Sequence, residues 1–327
     1  MIDVNSPSRE YEKVLLETNL KDIMLVAFRE HILVPAFNVA YLPMVEPIVQ
    51  TLIELECFGL VEVSRPDIKK FGARSLDAVY EEYKRFENRA YTRLHLDHVP
   101  VIDEDGKLVD WRSMIWRALD LGYDSVMIDG SRVSLEENIE VTQEVVKEAH
   151  ARDIPVEGEV GAVYGHEKGP LPPYEELFSS GKGFTDPEEA RRFVNETRVD
   201  WLSVAIGNIH GAISGVAKDR EKLKARLNIE HLQKIVSVTN VPIVLHGGTN
   251  IEQKYVLEAI RSGVTKINIG TAIRQKYERG LRETGKVEYA QENVRREMRY
   301  LIEDYDKIKG SARKLASLIK KRANCQS

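Results

Sequence analysis

Cysteine is scarce: Cys57 and Cys325 are the two among 327 residues, and they lie far apart. Cys57 falls in an apolar segment that reads as helical and Cys325 in a polar tail. The expectation is one buried and one exposed thiol, in a cytoplasmic chain. No apolar run approaches the roughly 20 residues needed to cross a bilayer, so no membrane partner is expected. The opening residues, Met1 to Ser6, lack a basic stretch followed by an apolar core, which argues against a signal peptide. Positive charge is not in excess either: the formal net charge is -5 and the basic residues are scattered, so nucleic acid is not an expected partner. Linkers rich in Pro, Gly and Ser are missing, which leaves a single domain over residues 1–327.

With 43% hydrophobic residues, the chain can build one large α/β core. Short apolar runs alternate with helical patterns between about residues 31 and 285. The strand candidates are 32–38, 58–64, 92–97, 124–129, 155–160, 201–206, 242–246 and 264–269. Eight strands with seven intervening helices predict a (β/α)8 TIM barrel. A doubly wound sheet would need fewer strands, and the Gly-rich dinucleotide turn is missing after the first one. Helix starts are marked by Ser134 with Glu137, by Asp186 before Pro187, and by Asn250 with Gln253. Residues 8–29 read as one extra N-terminal amphipathic helix that plugs the barrel bottom. The charged tail from about 287 to 327 reads as helical, packing across the barrel or on a partner subunit.

Barrel enzymes place their chemistry at the carboxyl ends of the strands. Each strand here ends in a polar residue: Asn38, Ser64, Asp97 with His98, Asp129, Glu159, His210, His246 and Asn268. His98, His210 and His246 make a three-histidine set with an open position, the arrangement of a catalytic zinc. Asp129 and Glu159 are carboxylates on neighbouring strands, suited to completing that site, holding an alternative metal position or orienting a histidine. Asp129-Gly130-Ser131 also makes a good turn. His95, two residues before Asp97, is read as support rather than as a ligand.

A phosphate signal stands apart from the metal. His246-Gly247-Gly248-Thr249-Asn250 leads into a helix N-terminus, and Asn268-Ile269-Gly270-Thr271 does the same after the last strand. A metal beside a phosphate pocket suits a phosphorylated hydroxyketone, whose carbonyl and adjacent hydroxyl the metal polarises. Asp97 is then the proton donor and acceptor of a retro-aldol cleavage and its reverse.

The chain resembles the class II (zinc-dependent) fructose-bisphosphate and tagatose-bisphosphate aldolase family over nearly all of residues 8–312. The matching segments, in family order, are Val34 to Asn38, His95 to His98, Ser125 to Ser131, Glu136 to Ile139, Val156 to Gly161 and Leu245 to Thr249. The resemblance implies Asp97 as catalytic acid and His98, His210 and His246 as zinc ligands, with Asp129 and Glu159 at a second or exchangeable metal position. It implies that Gly211, Gly247, Gly248, Thr249, Asn268, Ile269, Gly270 and Thr271 hold dihydroxyacetone phosphate, with Asn38 and Ser64 near the substrate. Glu167 aligns with the acid that helps move the substrate's proton. A monovalent cation and a homo-oligomer, dimer or tetramer, are also implied.

Departures from the family pattern fall around the substrate. Tyr164 and Lys168 flank Glu167 where the family has a glycine and an acid, and Ile213-Ser214-Gly215 lacks a lysine usual near the phosphate. Strand two ends in Ser64-Arg65-Pro66-Asp67, where small or acidic residues and glycine are common, and Val99-Pro100-Val101 replaces a small glycine or serine turn. The C-terminal Pro-Arg-Lys segment that holds a distal phosphate is absent, although Gly310-Ser311-Ala312 matches the family's ending. Three other readings share these residues: Schiff-base catalysis by Lys266, a metal-dependent sugar-phosphate isomerase or epimerase, and a non-catalytic sugar-phosphate-binding relative.

Overall fold

The computed structural model describes residues 7–161, 163, 173–210 and 224–326. Eight parallel strands close into a barrel in chain order, with the last paired to the first. They are β1 (Val34–Asn38), β2 (Gly59–Ser64), β3 (Thr92–Asp97), β4 (Ser125–Ile128), β5 (Val156–Val160), β6 (Trp201–Val204), β7 (Ile243–Leu245) and β8 (Val264–Ile269). Each lies inside its expected segment, shortened where the final polar residue turns out of the sheet. All are buried almost throughout, as strands covered on both faces must be.

The N-terminal helix expected over 8–29 is two helices, α1 (Pro7–Glu17) and α2 (Leu20–Arg29). Asn19 between them is extended, and its side chain accepts from Asp22 N at 2.8 Å. Its short amide caps a new helix instead of continuing the old one. The outer ring then runs through α3 (Val45–Glu54), α4 (Arg65–Lys70), α5 (Leu76–Phe86), α6 (Trp111–Leu121), α7 (Leu135–His150), α8 (Tyr174–Ser180), α9 (Pro187–Thr197), α10 (Ile229–Thr239), α11 (Gln253–Arg261) and α12 (Thr271–Thr284). Ser134 caps α7, and Asp186 caps α9 with Pro187 at its first position. Asn250 does not start α11 as expected. It has φ 68°, its carbonyl accepts from Ala225 N, and Ile251 pairs with Ala225, so that segment is tied to the preceding loop before the helix opens at Gln253.

The tail forms α13 (Val287–Arg299), a π-helical turn (Tyr300–Tyr305) and α14 (Ser311–Gln326). α13 packs on α12 and α3, and α14 packs on α1 and α2. Together α1, α2 and α14 close the barrel floor: Leu15, Ile23 and Leu315 share one apolar cluster with Val34, Phe58 and Trp201. The buried Arg93 guanidinium donates to Leu15 O at 2.8 Å and Thr18 O at 3.3 Å, and Lys21 reaches Asp200 at 2.7 Å. The floor is therefore bolted by polar contacts as well as greased by apolar ones.

Cys57 is not helical. It lies in the connection between α3 and β2, buried beneath Ser311, and burial pushes its thiol up to about 12. The side chain of Cys325 lies outside the described ones. Among the described residues no helix is long and apolar enough to cross a membrane.

Candidate active site at the barrel rim

Side chains two residues apart on a strand share a face. His95 and Asp97 on β3, Glu62 and Ser64 on β2, Glu157 and Glu159 on β5, and Lys266 and Asn268 on β8 therefore stack as a lower and an upper tier inside the barrel. The β2–β3 register confirms the layering, pairing Glu62 with His95 and Ser64 with Asp97.

The lower tier is a buried ionic layer. Lys266 Nζ lies 3.2 Å from Glu62 Oε2 and 3.0 Å from Glu157 Oε2, and Trp201 Nε1 donates to the same Glu157 oxygen at 2.9 Å. Burial alone would drive the Lys266 ammonium down, but Glu157 and Glu62 outweigh it and carry it above its ordinary value. A lysine held as a cation is a poor nucleophile, which argues against the Schiff-base reading. His95 Nδ1 sits 2.8 Å from Ser125 Oγ, and burial followed by the charge of Lys266 pushes it down to about 3. His95 is thus neutral and structural, as read from its position.

The upper tier brings the expected residues together. The ring nitrogens of His98, His210 and His246 that face one another lie within 4.8 Å, with ring centroids of His98 and His246 4.2 Å apart. His98, Asp129 and Glu159 form a second such group, sharing one histidine with the first. Asp129 makes the turn and also faces a histidine. Its Oδ1 accepts from Ser131 N and Oγ at 2.9 and 2.6 Å, making the turn, while Oδ2 lies 3.5 Å from His98 Nδ1.

His246 is held from both sides: Glu157 Oε1 lies 2.7 Å from Nε2 and Glu159 Oε2 lies 3.0 Å from Nδ1. Burial pulls this imidazole down, but the two carboxylates outweigh it and hold it protonated. A divalent cation fits this donor set, because it can replace that proton and keep the flanking carboxylates compensated. Glu157 was not singled out in the sequence. Its position two residues before Glu159 on one strand was the available signal.

Asp97 stands beside the cluster, with Oδ1 3.9 Å from His246 Nε2. Asn268 donates to Oδ1 at 2.8 Å and Asn38 donates to Oδ2 at 3.0 Å. Burial would raise Asp97, but the neighbouring His98, His246 and Lys266 together hold it below the usual carboxylate range. Its two oxygens are thus each held by a side-chain amide, and its ionised form is the favoured one.

The cavity above these groups is lined by Asn38, Ser64, Asp97, His98, His210, Gly247, Thr249, Asn268, Gly270 and Thr271 from the expected set. Gly247 has φ +66°, and a Cβ there would meet Ile209 O at 2.0 Å, so the loop after β7 closes only on glycine. Gly248 is used for close packing: its N–H donates to Asn268 O at 2.9 Å. Ile269 points away into the core between barrel and helices. Thr249 Oγ1 accepts from Ala272 N at 3.2 Å, tying the loops after β7 and β8 together. Glu167 and Gly211, and the altered loops around 164–168 and 213–215, lie outside the described residues. Five residues not expected from the sequence, Ala40, Pro66, Asp67, Phe71 and Arg274, complete the wall.

Comparison with known proteins places this geometry in a family. Residues 18–322 match the family described as Fructose-bisphosphate aldolase class-II. A 6-phospho-5-dehydro-2-deoxy-D-gluconate aldolase from Shouchella clausii is 38% identical over 211 residues, 64% of this chain and 62% of that protein. A fructose-bisphosphate aldolase from Geobacillus stearothermophilus is 37% identical over 166 residues, 51% of this chain and 53% of that protein. The chain thus spans less than two thirds of either relative. A solved fructose-bisphosphate aldolase from Campylobacter jejuni shares the fold with a TM-score of 0.68 at 20% identity, covering 89% of this chain and 95% of that one.

Proposed function

The chain belongs to the class II fructose-bisphosphate aldolase family, and from that premise we propose a zinc-dependent aldolase that cleaves a ketose (bis)phosphate reversibly. The products are dihydroxyacetone phosphate and an aldehyde, and fructose 1,6-bisphosphate or tagatose bisphosphate is the substrate type. The observation that carries this reading is Asp97, fixed by Asn38 and Asn268 beside three converging histidines. An isomerase or a binding protein has less use for an acid held at that place.

His98, His210 and His246 hold the zinc, with Asp129 and Glu159 as a second or exchangeable position. When bound, the ion supplies Lewis-acid polarisation of the substrate's carbonyl and the hydroxyl next to it. Asp97 accepts the proton of the hydroxyl on the carbon beyond the breaking bond, and returns it to the aldehyde oxygen in the synthetic direction. Glu157 keeps His246 in place from below. Gly247, Thr249, Gly270 and Thr271 cradle the phosphate of the ketone half at the mouth of β7 and β8. Glu167 assists proton movement on the ketone half. A homo-oligomer working in the cytoplasm, with a monovalent cation near the phosphate, completes the proposal.

Dialysis against a chelator is the direct test. Cleavage of fructose and tagatose bisphosphates, scored as dihydroxyacetone phosphate released, should vanish on metal removal and return with Zn²⁺ or Co²⁺. Full activity in metal-free protein would sink the proposal.

A further inference from the structure

We propose that Asp67 is a specificity-determining residue, accepting a hydrogen bond from a hydroxyl on the aldehyde half of the substrate; this rests on the aldolase reading above. The ketone phosphate takes the β7 and β8 side of the mouth, and the histidines take the β3, β6 and β7 side. Besides Asn38 and Asp97, what remains of the wall among the described residues is Ala40, Ser64, Pro66, Asp67, Phe71 and Arg274. The aldehyde half leaves the breaking bond in that direction.

Most polar groups on this wall are already occupied. Arg274 donates to both oxygens of Glu278 at 3.0 and 2.9 Å, and its guanidinium lies 4.6 Å over the Phe71 ring. Tyr41 donates to the same Glu278 at 2.8 Å, so the cation is compensated within the protein. Ser64 gives its hydroxyl to Asp67 Oδ2 at 2.6 Å.

Asp67 differs from these. Its Oδ2 accepts from Ser64 N, Ser64 Oγ and Asn38 Nδ2, closing a reciprocal cap on α4. Among the described residues Oδ1 accepts nothing, although Asp67 lines the cavity. The cap explains one oxygen and leaves the other free for a ligand. Placement supplies the second argument. Asn38 Nδ2 lies 3.0 Å from Asp97 Oδ2 and 3.4 Å from Asp67 Oδ2, so one amide separates the two carboxylates. Asp97 meets the hydroxyl at the breaking bond, and Asp67 stands where the next hydroxyl along the aldehyde half falls. Burial pushes Asp67 up to about 6, which leaves it an ionised acceptor at neutral pH.

The test is aldol addition by the zinc-loaded full chain, with dihydroxyacetone phosphate and either glyceraldehyde or propionaldehyde, which lacks the hydroxyls. A hydrogen bond to a charged acceptor predicts a kcat/KM preference for glyceraldehyde of roughly ten- to a hundredfold. Asp67→Asn and Asp67→Ser each retain an acceptor for the cap, and each should cut that ratio about tenfold. A general structural defect would lower both aldehydes together and leave the ratio alone. Should one variant fail to fold, the other still reads the ratio. No preference in the wild type, or a ratio unmoved by both substitutions, overturns the proposal. Exchange of a dihydroxyacetone phosphate carbon-bound proton with solvent is followed alongside. Its persistence with an unmoved ratio overturns this inference alone, whereas no exchange and no addition in the wild type defeats the aldolase reading and this inference with it.

Discussion

The side-chain amide of Asn268 donates to Oδ1 of Asp97 at 2.8 Å, reaching from β8 to β3 across the barrel. Asn38 donates to the other oxygen at 3.0 Å, so both carboxylate oxygens accept from an amide. Asp97→Asn puts a third amide where two already donate. The expected outcome is a loss of cleavage of about 10²- to 10⁴-fold with zinc retained. Metal content and release of dihydroxyacetone phosphate, measured on the same sample, check it. Unchanged turnover would remove Asp97 from the mechanism.

Lys266 holds two buried carboxylates, Glu62 and Glu157, at 3.2 and 3.0 Å. Burial holds Glu62 well above the usual carboxylate range, whereas Lys266 holds Glu157 below it. Lys266→Met therefore strips the buried Glu157 anion of its ammonium partner and should cost about 3–5 kcal/mol of stability, read by urea unfolding. Borohydride with ketose phosphate should trap no adduct on the wild-type chain. A covalent adduct at Lys266 would restore the Schiff-base alternative.

Gly247, which follows His246 in the chain, packs closely on the backbone of Ile209 and His210. A methyl group there would lie 2.0 Å from Ile209 O, next to His210, on a loop with φ +66°. Gly247→Ala should therefore spread His210 from His246 and weaken zinc binding by tenfold or more. Competition with a chromophoric chelator gives the affinity, and an unaltered value contradicts the prediction.

Asp306, just beyond the π-helical turn, is buried, and among the described residues its Oδ2 has no hydrogen-bond partner. Burial pushes its carboxyl up to about 7. The folded chain thus binds this proton more tightly than the unfolded chain, so stability is highest below about pH 4 for this group and falls as pH rises to about 7. Asp306→Asn removes that slope. Between pH 4 and 7.5 the wild type should lose about 2–4 kcal/mol relative to the variant, measured by denaturant unfolding at both pH values. Parallel pH profiles would refute it.

The strands and the rim were legible because their signals are local. Each strand is a short apolar run with a polar residue at or near its end, so Asp97, His98 and His246 could be placed without any knowledge of their partners, while His210 lies six residues beyond β6. The lower tier was not legible in the same way. Alternation put Lys266 inside the barrel, but its partners Glu62 and Glu157 come from other strands, and that closure is a property of the whole sheet. Asp67 and Arg274 lie on helices that begin at the rim, where no strand period marks them. Asn19 looked like one residue of a continuous amphipathic pattern, and only its capping bond shows that the helix restarts there.

α1 and α14 lie side by side beneath the barrel, on the face opposite the rim. That arrangement separates handling from chemistry. The outward-facing residues of these two helices, such as Lys13 and Lys321, offer points for grafting the molecule to a bead or an electrode. Attached there, the barrel would stand mouth outward, and small molecules would still diffuse into it unobstructed.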